Sequence, residues 1–147
     1  MRTIQEGVTI RRTAEDVFAF ACDYANDVQW RRGVREITLT TGGGMCEGAR
    51  THEVLHFLMQ RIITNGEVTR YEPNRLVEFK GAARPLPVQV HNRRIVESVA
   101  AGTRFTYRLS AKIAGPMRMT EGLQVKLITR QIKRDLARLK EILESQG

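Results

Sequence analysis

Near its C-terminal end the chain runs from an alternating segment, Thr103-Arg104-Phe105-Thr106-Tyr107-Arg108-Leu109-Ser110, through a Gly115-Pro116 break into a long amphipathic stretch. Successive side chains of a strand point to opposite faces, so Thr103, Phe105, Tyr107 and Leu109 share one face and Arg104, Thr106, Arg108 and Ser110 the other. One face suits burial and the other water. From Gly122 to Ser145, Ile128, Ile132, Leu136, Leu139 and Leu143 recur at spacings of three and four, which lines them up on one stripe of an α-helix. Such a helix spans roughly 36 Å, and a ten-residue strand roughly 33 Å. The helix can cross a whole sheet, and its stripe needs one to lie on.

The rest of the chain supplies that sheet. Thr3 to Arg11 reads as a first strand with Ile4, Val8 and Ile10 as its apolar members. Thr13 then opens a helix: its hydroxyl can cap the free amides while Asp16 reaches back, and Val17, Phe18 and Ala21 form the buried side. Asp23 to Arg32 predicts a second short helix carrying Trp30, stopped by Gly33. Strands follow over Val34–Thr41, Arg50–Met59, Arg61–Tyr71, Arg75–Gly81, Val88–Val96 and Gly102–Ala111, joined by turn-forming sequences. Among these, Gly42-Gly43-Gly44 is a permissive turn; no GK[ST] follows it, so it is not a phosphate loop. Glu72-Pro73-Asn74 and Ala101-Gly102 mark tight connections, and Arg84-Pro85-Leu86-Pro87 a stiffer loop.

Charge and cysteine content narrow the function classes. At 147 residues the chain is expected to form a single domain, 1–147, with a core of its own. Cys22 and Cys46 form no CxxC pattern, and no stretch could serve as a signal peptide or bilayer span. The expectation is a soluble, cytoplasmic protein with free thiols. The net charge of +8 attracts polyanions, yet the arginines are scattered, with no basic tail and no RNP-like aromatic sequence. A solvated Arg-rich exterior is the preferred reading over nucleic-acid binding.

His52-Glu53-Val54-Leu55-His56 matches the HExxH pattern of zinc peptidases. That chemistry requires a helix, where residues four apart converge. In a strand the two imidazoles stand about 13 Å apart, too far for zinc–nitrogen bonds of roughly 2.0 Å. The alternation around them and the absence of a third ligand favour a strand and no metal. No cofactor is expected, and no Ser-His-Asp or Cys-His arrangement can be argued.

Taken in order, Val8-Thr9-Ile10, Ala14-Glu15-Asp16-Val17-Phe18-Ala19-Phe20 with Trp30, Glu72-Pro73-Asn74-Arg75-Leu76-Val77-Glu78-Phe79, Gly102-Thr103-Arg104-Phe105-Thr106 and the closing Asp135-Leu136-Ala137-Arg138-Leu139-Lys140-Glu141-Ile142-Leu143-Glu144 resemble the START-like, helix-grip superfamily (SRPBCC), and within it the polyketide cyclase and dehydrase branch. The resemblance implies an α+β fold: a seven-stranded curved antiparallel sheet wrapped around the C-terminal helix, two short helices after the first strand, and a cavity between sheet and helix. A strongly curved sheet cannot touch a straight helix along its full length, which gives the cavity a physical origin.

Strand parity then predicts the cavity lining. Leu55, Phe57 and Met59 face inward from one strand, and Thr64 and Val68 from the next. Val77 and Phe79, Val88 and Val90, and Phe105, Tyr107 and Leu109 follow on later strands, with Ile128 and Ile132 opposite; the resemblance implies that Trp30 sits near the entrance. Two Arg interrupt the alternation, so a bulge is expected near Asn92 to Ile95. Glu53 shares parity with Leu55, where an unpaired carboxylate is costly. It is either a ligand anchor or acid–base group, or the partner of Arg50 or Arg70. Tyr107 could donate to a ligand carbonyl. No catalytic residue is assigned beyond these two candidates. The function expected is binding of a small hydrophobic or aromatic molecule, polyketide- or lipid-like. The alternatives are a cyclase- or dehydrase-type enzyme and an Arg-rich surface for nucleic acid or acidic membrane; a homodimer is compatible with the sequence.

Overall fold

The computed structural model describes residues 2–85, 88–112 and 120–146. Its strands are β1 (Arg2–Ile10), β2 (Val34–Leu39), β3 (Arg50–Phe57), β4 (Gln60–Glu72), β5 (Leu76–Arg84), β6 (Val88–Val99) and β7 (Gly102–Lys112). They form one antiparallel sheet in the order β1-β7-β6-β5-β4-β3-β2. Helix α1 (Ala14–Ala21), a 3-10 turn over Tyr24–Asn26 and the single turn α2 (Asp27–Trp30) connect β1 to β2, and the long α3 (Glu121–Ser145) follows β7. The Gly115-Pro116 break and Leu86-Pro87 of the stiffer loop lie outside the described residues.

Local chemistry explains the boundaries. Thr13 caps α1, its Oγ1 accepting from the Asp16 amide at 3.1 Å; the Asp16 carboxylate instead takes Arg12, from Nη2 at 3.1 Å and Nε at 3.2 Å. Strand β3 stops at Phe57 because Leu58 and Met59, at φ 51° and 64°, make the two-residue turn into β4. Met59 is therefore on a hairpin tip, fully exposed, and not in the inward-facing set that parity predicts. No register shift occurs in β6 from Gln89 to Val99. The expected bulge at Asn92 to Ile95 is absent, and the shifts fall instead at Val34/Glu36 and Val68/Arg70. Alternation is intact through β6 because Arg94 itself points inward.

Gly66 and Gly81 face each other across β4 and β5. A Cβ on Gly66 would collide with the Phe79 ring and the Lys80 carbonyl, so the missing side chains give the Phe79 ring its place. Helix α3 runs parallel to β1. Arg2 pairs with Glu121 at 3.5 Å, Glu6 with Lys133 at 3.7 Å, the Thr9 carbonyl accepts from Lys140 Nζ at 2.6 Å, and the Arg11 amide donates to Glu144 at 2.9 Å. The stripe is buried at Ile132, Leu136, Leu139 and Leu143, packed on Ile10, Val17, Phe18 and Phe105; Ile128 is only partly covered. The apolar core thus sits under the C-terminal half of α3.

Two expectations follow. Leu139→Ala should cost about 2–5 kcal/mol, whereas Leu123→Ala, at an exposed position, should stay within about 0.5 kcal/mol, both read by urea unfolding. Glu144 is held down from the ordinary 4.5 to about 2 by the Lys140 hydrogen bond and the Arg11 amide. A carboxylate depressed in the folded state stabilises above its unfolded value, and that stability is lost as pH falls through the folded one. Glu144→Gln should therefore flatten the fall of Tm as pH drops from about 4.5 to about 2.

Candidate functional site

The site begins with a buried charge pair. Asp27, on α2, is completely buried, and Arg94, on β6, is 1 % exposed. Arg94 Nη1 and Nη2 donate to the two carboxylate oxygens of Asp27 at 2.8 and 2.6 Å, and Nη1 also donates to the Ala21 carbonyl at 2.8 Å. The planar fork matches a carboxylate in a way no lysine could. Three rings surround the guanidinium: Tyr24 at 4.4 Å, Trp30 at 5.3 Å and Tyr107 at 5.6 Å. Their negative faces add to the stabilisation of the cation. Burial opposes the Arg94 charge, but Asp27 outweighs it and the net shift holds the guanidinium still more firmly protonated.

The pair extends to the cavity wall. Asp27 Oδ2 accepts from Arg31 Nη1 at 3.0 Å, and the same nitrogen stands 3.0 Å from Glu53 Oε1. Two arginines and two carboxylates thus run Arg94–Asp27–Arg31–Glu53 from the core to the cavity. Arg31 is likewise shifted upward, the desolvation that opposes its charge being exceeded by Glu53, Tyr107 and Asp27. The partner of Glu53 is therefore Arg31, not Arg50 or Arg70. Burial also pushes the Cys22 thiol beside this network up to about 12.

Between the sheet and the N-terminal half of α3 lie two adjoining chambers of about 190 and 330 Å³ that share Arg31, Leu55, Phe57, Tyr107, Leu109 and Ile128 as walls. The smaller, inner one is completed by Trp30, Ile132, Gln131 and Asp135. The larger, outer one adds Glu53, Thr64, Phe79, Val88, Val90 and Asn92 and reaches the hairpin at Leu58. Val68, Val77 and Phe105 are closed into the core behind these walls. Trp30, expected near the entrance, is 1 % exposed at the inner end, edge-on to Phe105 and Tyr107 at 6.1 and 6.5 Å. Its indole N–H finds no acceptor among the described residues.

Sequence reasoning missed Arg94, Arg31, Asp27 and Asp135. Asp135 is buried on the cavity side of α3, its Oδ1 accepting from Gln131 at 2.8 Å and from the Arg32 amide at 3.2 Å. Burial raises its pKa against the lowering effect of those hydrogen bonds. A signal existed: Asp135 lies three residues after Ile132 and four before Leu139, within the apolar stripe. The HExxH segment is strand, as its alternation predicts. His52 sits 2.8 Å from Asn65 across β4, and His56 opposes Arg61. Among the described residues no three His, Cys, Asp or Glu side chains converge as a metal site requires.

A seven-stranded open sheet gripping a long C-terminal helix, with a cavity between them, defines the START/Bet v 1 class of fold. A sequence model of the family described as "Polyketide cyclase / dehydrase and lipid transport" matches residues 1–144, and the chain belongs to that family. Similar solved structures include a START superfamily protein from Mycobacterium smegmatis, 12 % identical with a TM-score of 0.82 over 99 % of each chain. A protein from Thermus thermophilus is 14 % identical with a TM-score of 0.82, again over 99 % of each. An aromatase/cyclase from Streptomyces sp. R1128 is 13 % identical with a TM-score of 0.78, over 99 % of this chain and 94 % of that one. At these identities the likeness is one of fold. No match is found among curated proteins.

The buried pair gives a sharp expectation. Asp27→Ala strands Arg94 in the core and should cost about 3–5 kcal/mol, while an Asp27→Leu/Arg94→Leu double variant should recover much of that loss. Urea unfolding of the two variants checks it.

Proposed function

We propose that the protein binds a small hydrophobic or aromatic molecule in the two chambers, with an oxygen-bearing end at Arg31 and Tyr107. The observation that carries this reading is the composition of the walls: Leu55, Phe57, Leu109, Ile128 and Val90 with a minority of polar groups, among them Arg31, Glu53 and Tyr107. Ligand sites are mostly apolar concavities of about 300–1,000 Å³ with a few placed polar groups, and the outer chamber alone, at about 330 Å³, reaches that range.

Electrostatics narrow the ligand further. Arg31 already has two carboxylates, so an incoming carboxylate would add a third negative charge beside Asp27 and Glu53, and its desolvation would go uncompensated. A neutral carbonyl, phenol or hydroxyl avoids that cost, accepting from Arg31 or from the Tyr107 hydroxyl. Polyketide-like and lipid-like molecules with neutral oxygens fit this description.

The enzyme reading rests on one observation, that Glu53 and Tyr107 line the same chamber. A carboxylate and a phenol at one substrate could support enolisation or dehydration. Turnover of a polyketide analogue that Glu53→Gln abolishes while binding persists would establish that role. No turnover of a bound analogue would leave the carrier.

Native mass spectrometry should find a small molecule travelling with the purified protein. In titrations with flat aromatic ketones or phenols, Trp30, the single tryptophan, should shift its emission to saturation with little salt dependence. Ile128→Phe, which projects a larger side chain into both chambers, should weaken binding about tenfold or more, and Tyr107→Phe should weaken phenol and ketone ligands while sparing plain hydrocarbons. Failure of chemically diverse apolar ligands to bind by calorimetry would overturn the reading.

A further inference from the structure

The end of the sheet that the outer chamber reaches at Leu58, Arg84 and Gln124 has an unusual surface. Register brings five features to it: the β3–β4 hairpin, the end of β5 at Arg84, the start of β6 at Val88, the end of β7 at Lys112 and the start of α3, held there by the Arg2–Glu121 pair. The hairpin tip is Leu58-Met59. Leu58 is 58 % exposed and Met59 fully exposed, both at positive φ, where two-residue hairpins strongly favour Asn-Gly. Two large apolar side chains thus occupy a backbone conformation unsuited to them and face water. Folding stability explains neither choice. Leu58 also borders the outer chamber, and Leu123, on the first turn of α3, is 61 % exposed.

The same end carries Arg61, Arg84, Lys112 and Lys126, all exposed, and none of them forms an ion pair among the described residues. Arginines elsewhere are of both kinds, matched as Arg70 is to Glu72 and Glu78 and Arg93 to Glu78, or without an ion pair among the described residues as Arg35 and Arg108 are; what sets this end apart is the exposed Leu58 and Met59 that accompany its cations. Apolar side chains and unmatched cations at one end complement a surface that is negative outside and apolar beneath. That describes an anionic lipid bilayer. A second copy of this chain fits poorly, because a two-fold contact would set the cationic end against itself. Nucleic acid would use the cations and leave Leu58 and Met59 without a role.

We propose that this end docks on anionic membrane surfaces, Leu58 and Met59 entering the headgroup–acyl boundary and the four cations lying over the phosphates. The chamber mouth then opens toward the bilayer, and an apolar molecule can pass between lipid and cavity with little exposure to water.

The test is co-sedimentation of the full chain with vesicles of phosphatidylcholine alone and of phosphatidylcholine mixed with phosphatidylglycerol. Binding is expected to the anionic vesicles only, falling steeply between about 0.05 and about 0.5 M salt. A Leu58→Asn/Met59→Gly variant gives the turn its preferred residues, so its Tm should hold or rise while vesicle binding drops about tenfold or more. Arg61→Gln/Lys126→Gln should weaken binding and its salt dependence independently of the turn. Three results would each overturn the proposal: no binding to anionic vesicles at low salt, undiminished binding by the Leu58→Asn/Met59→Gly variant, or a dimer seen by light scattering that this variant abolishes. Vesicle binding needs no cavity ligand, so its failure is distinct from failure of the Trp30 titrations.

Discussion

The bidentate pair between Arg94 and Asp27 organises the molecule around the cavity. Removing two charges from water costs several kcal/mol per ion, and only near-ideal geometry with further hydrogen bonds offsets it. Here the fork, the Ala21 carbonyl and three aromatic rings supply that geometry. The consequence is positional. The pair fixes α2 against β6, which sets Trp30 over Phe105 and Tyr107 and brings Arg31 to Glu53 on β3. One ion pair thereby connects the C-terminus of α1, the α2 turn, the centre of the sheet and the cavity wall. A hydrophobic substitute could match its stability but could not orient the polar end of a site.

A cavity survives in a close-packed fold only where collapse is prevented. Two features hold this one open. The Gly66–Gly81 pair leaves room for the Phe79 ring to lie across β4 and β5, where it forms part of the chamber wall. The Arg94–Asp27 pair holds Arg31, which lines both chambers, through the Asp27 carboxylate, and its hydrogen bonds resist displacement. The same curvature that a straight helix cannot follow becomes a chamber because neither wall can move in.

Much of the architecture is legible in the sequence, since periodicity reports burial directly. The β7 alternation, the α3 stripe and the Thr13 cap each predict a feature that the structure contains, and the strand assignment of His52 to His56 follows from the same alternation. Parity also places Leu55, Phe57, Thr64, Phe79, Val88, Val90, Tyr107 and Leu109 on cavity walls. The failures have separate causes. Arg94 reads as a break in pattern and suggests a bulge, because its buried partner Asp27 is 67 residues away and pairing over that distance leaves no local trace. Asp135 is different: its place within the apolar stripe is a local signal, but it passes as part of a helix signature. Met59 continues the β3 alternation on paper, but a two-residue turn takes it out of the strand. Patterns predict environment for apolar residues; a buried charge is explained only by its partner.

Burial along α3 is graded, and the grading separates stability from function. No residue from Glu121 to Gln131 is fully buried, whereas Ile132, Asp135, Leu136, Leu139 and Leu143 all are. The C-terminal half is further fastened to β1 and the α1 entry by Lys140, Glu144 and the Leu143 carbonyl, which accepts from Arg12 at 2.6 Å. The free energy of local opening follows the apolar contacts a segment must give up, so the N-terminal half can part from the sheet at far lower cost than the whole helix. That half carries Gln124 and Ile128, which border the outer chamber and end at the exposed hairpin side. A molecule filling the chamber would restore the missing contacts there, stabilising the folded state in proportion to its occupancy.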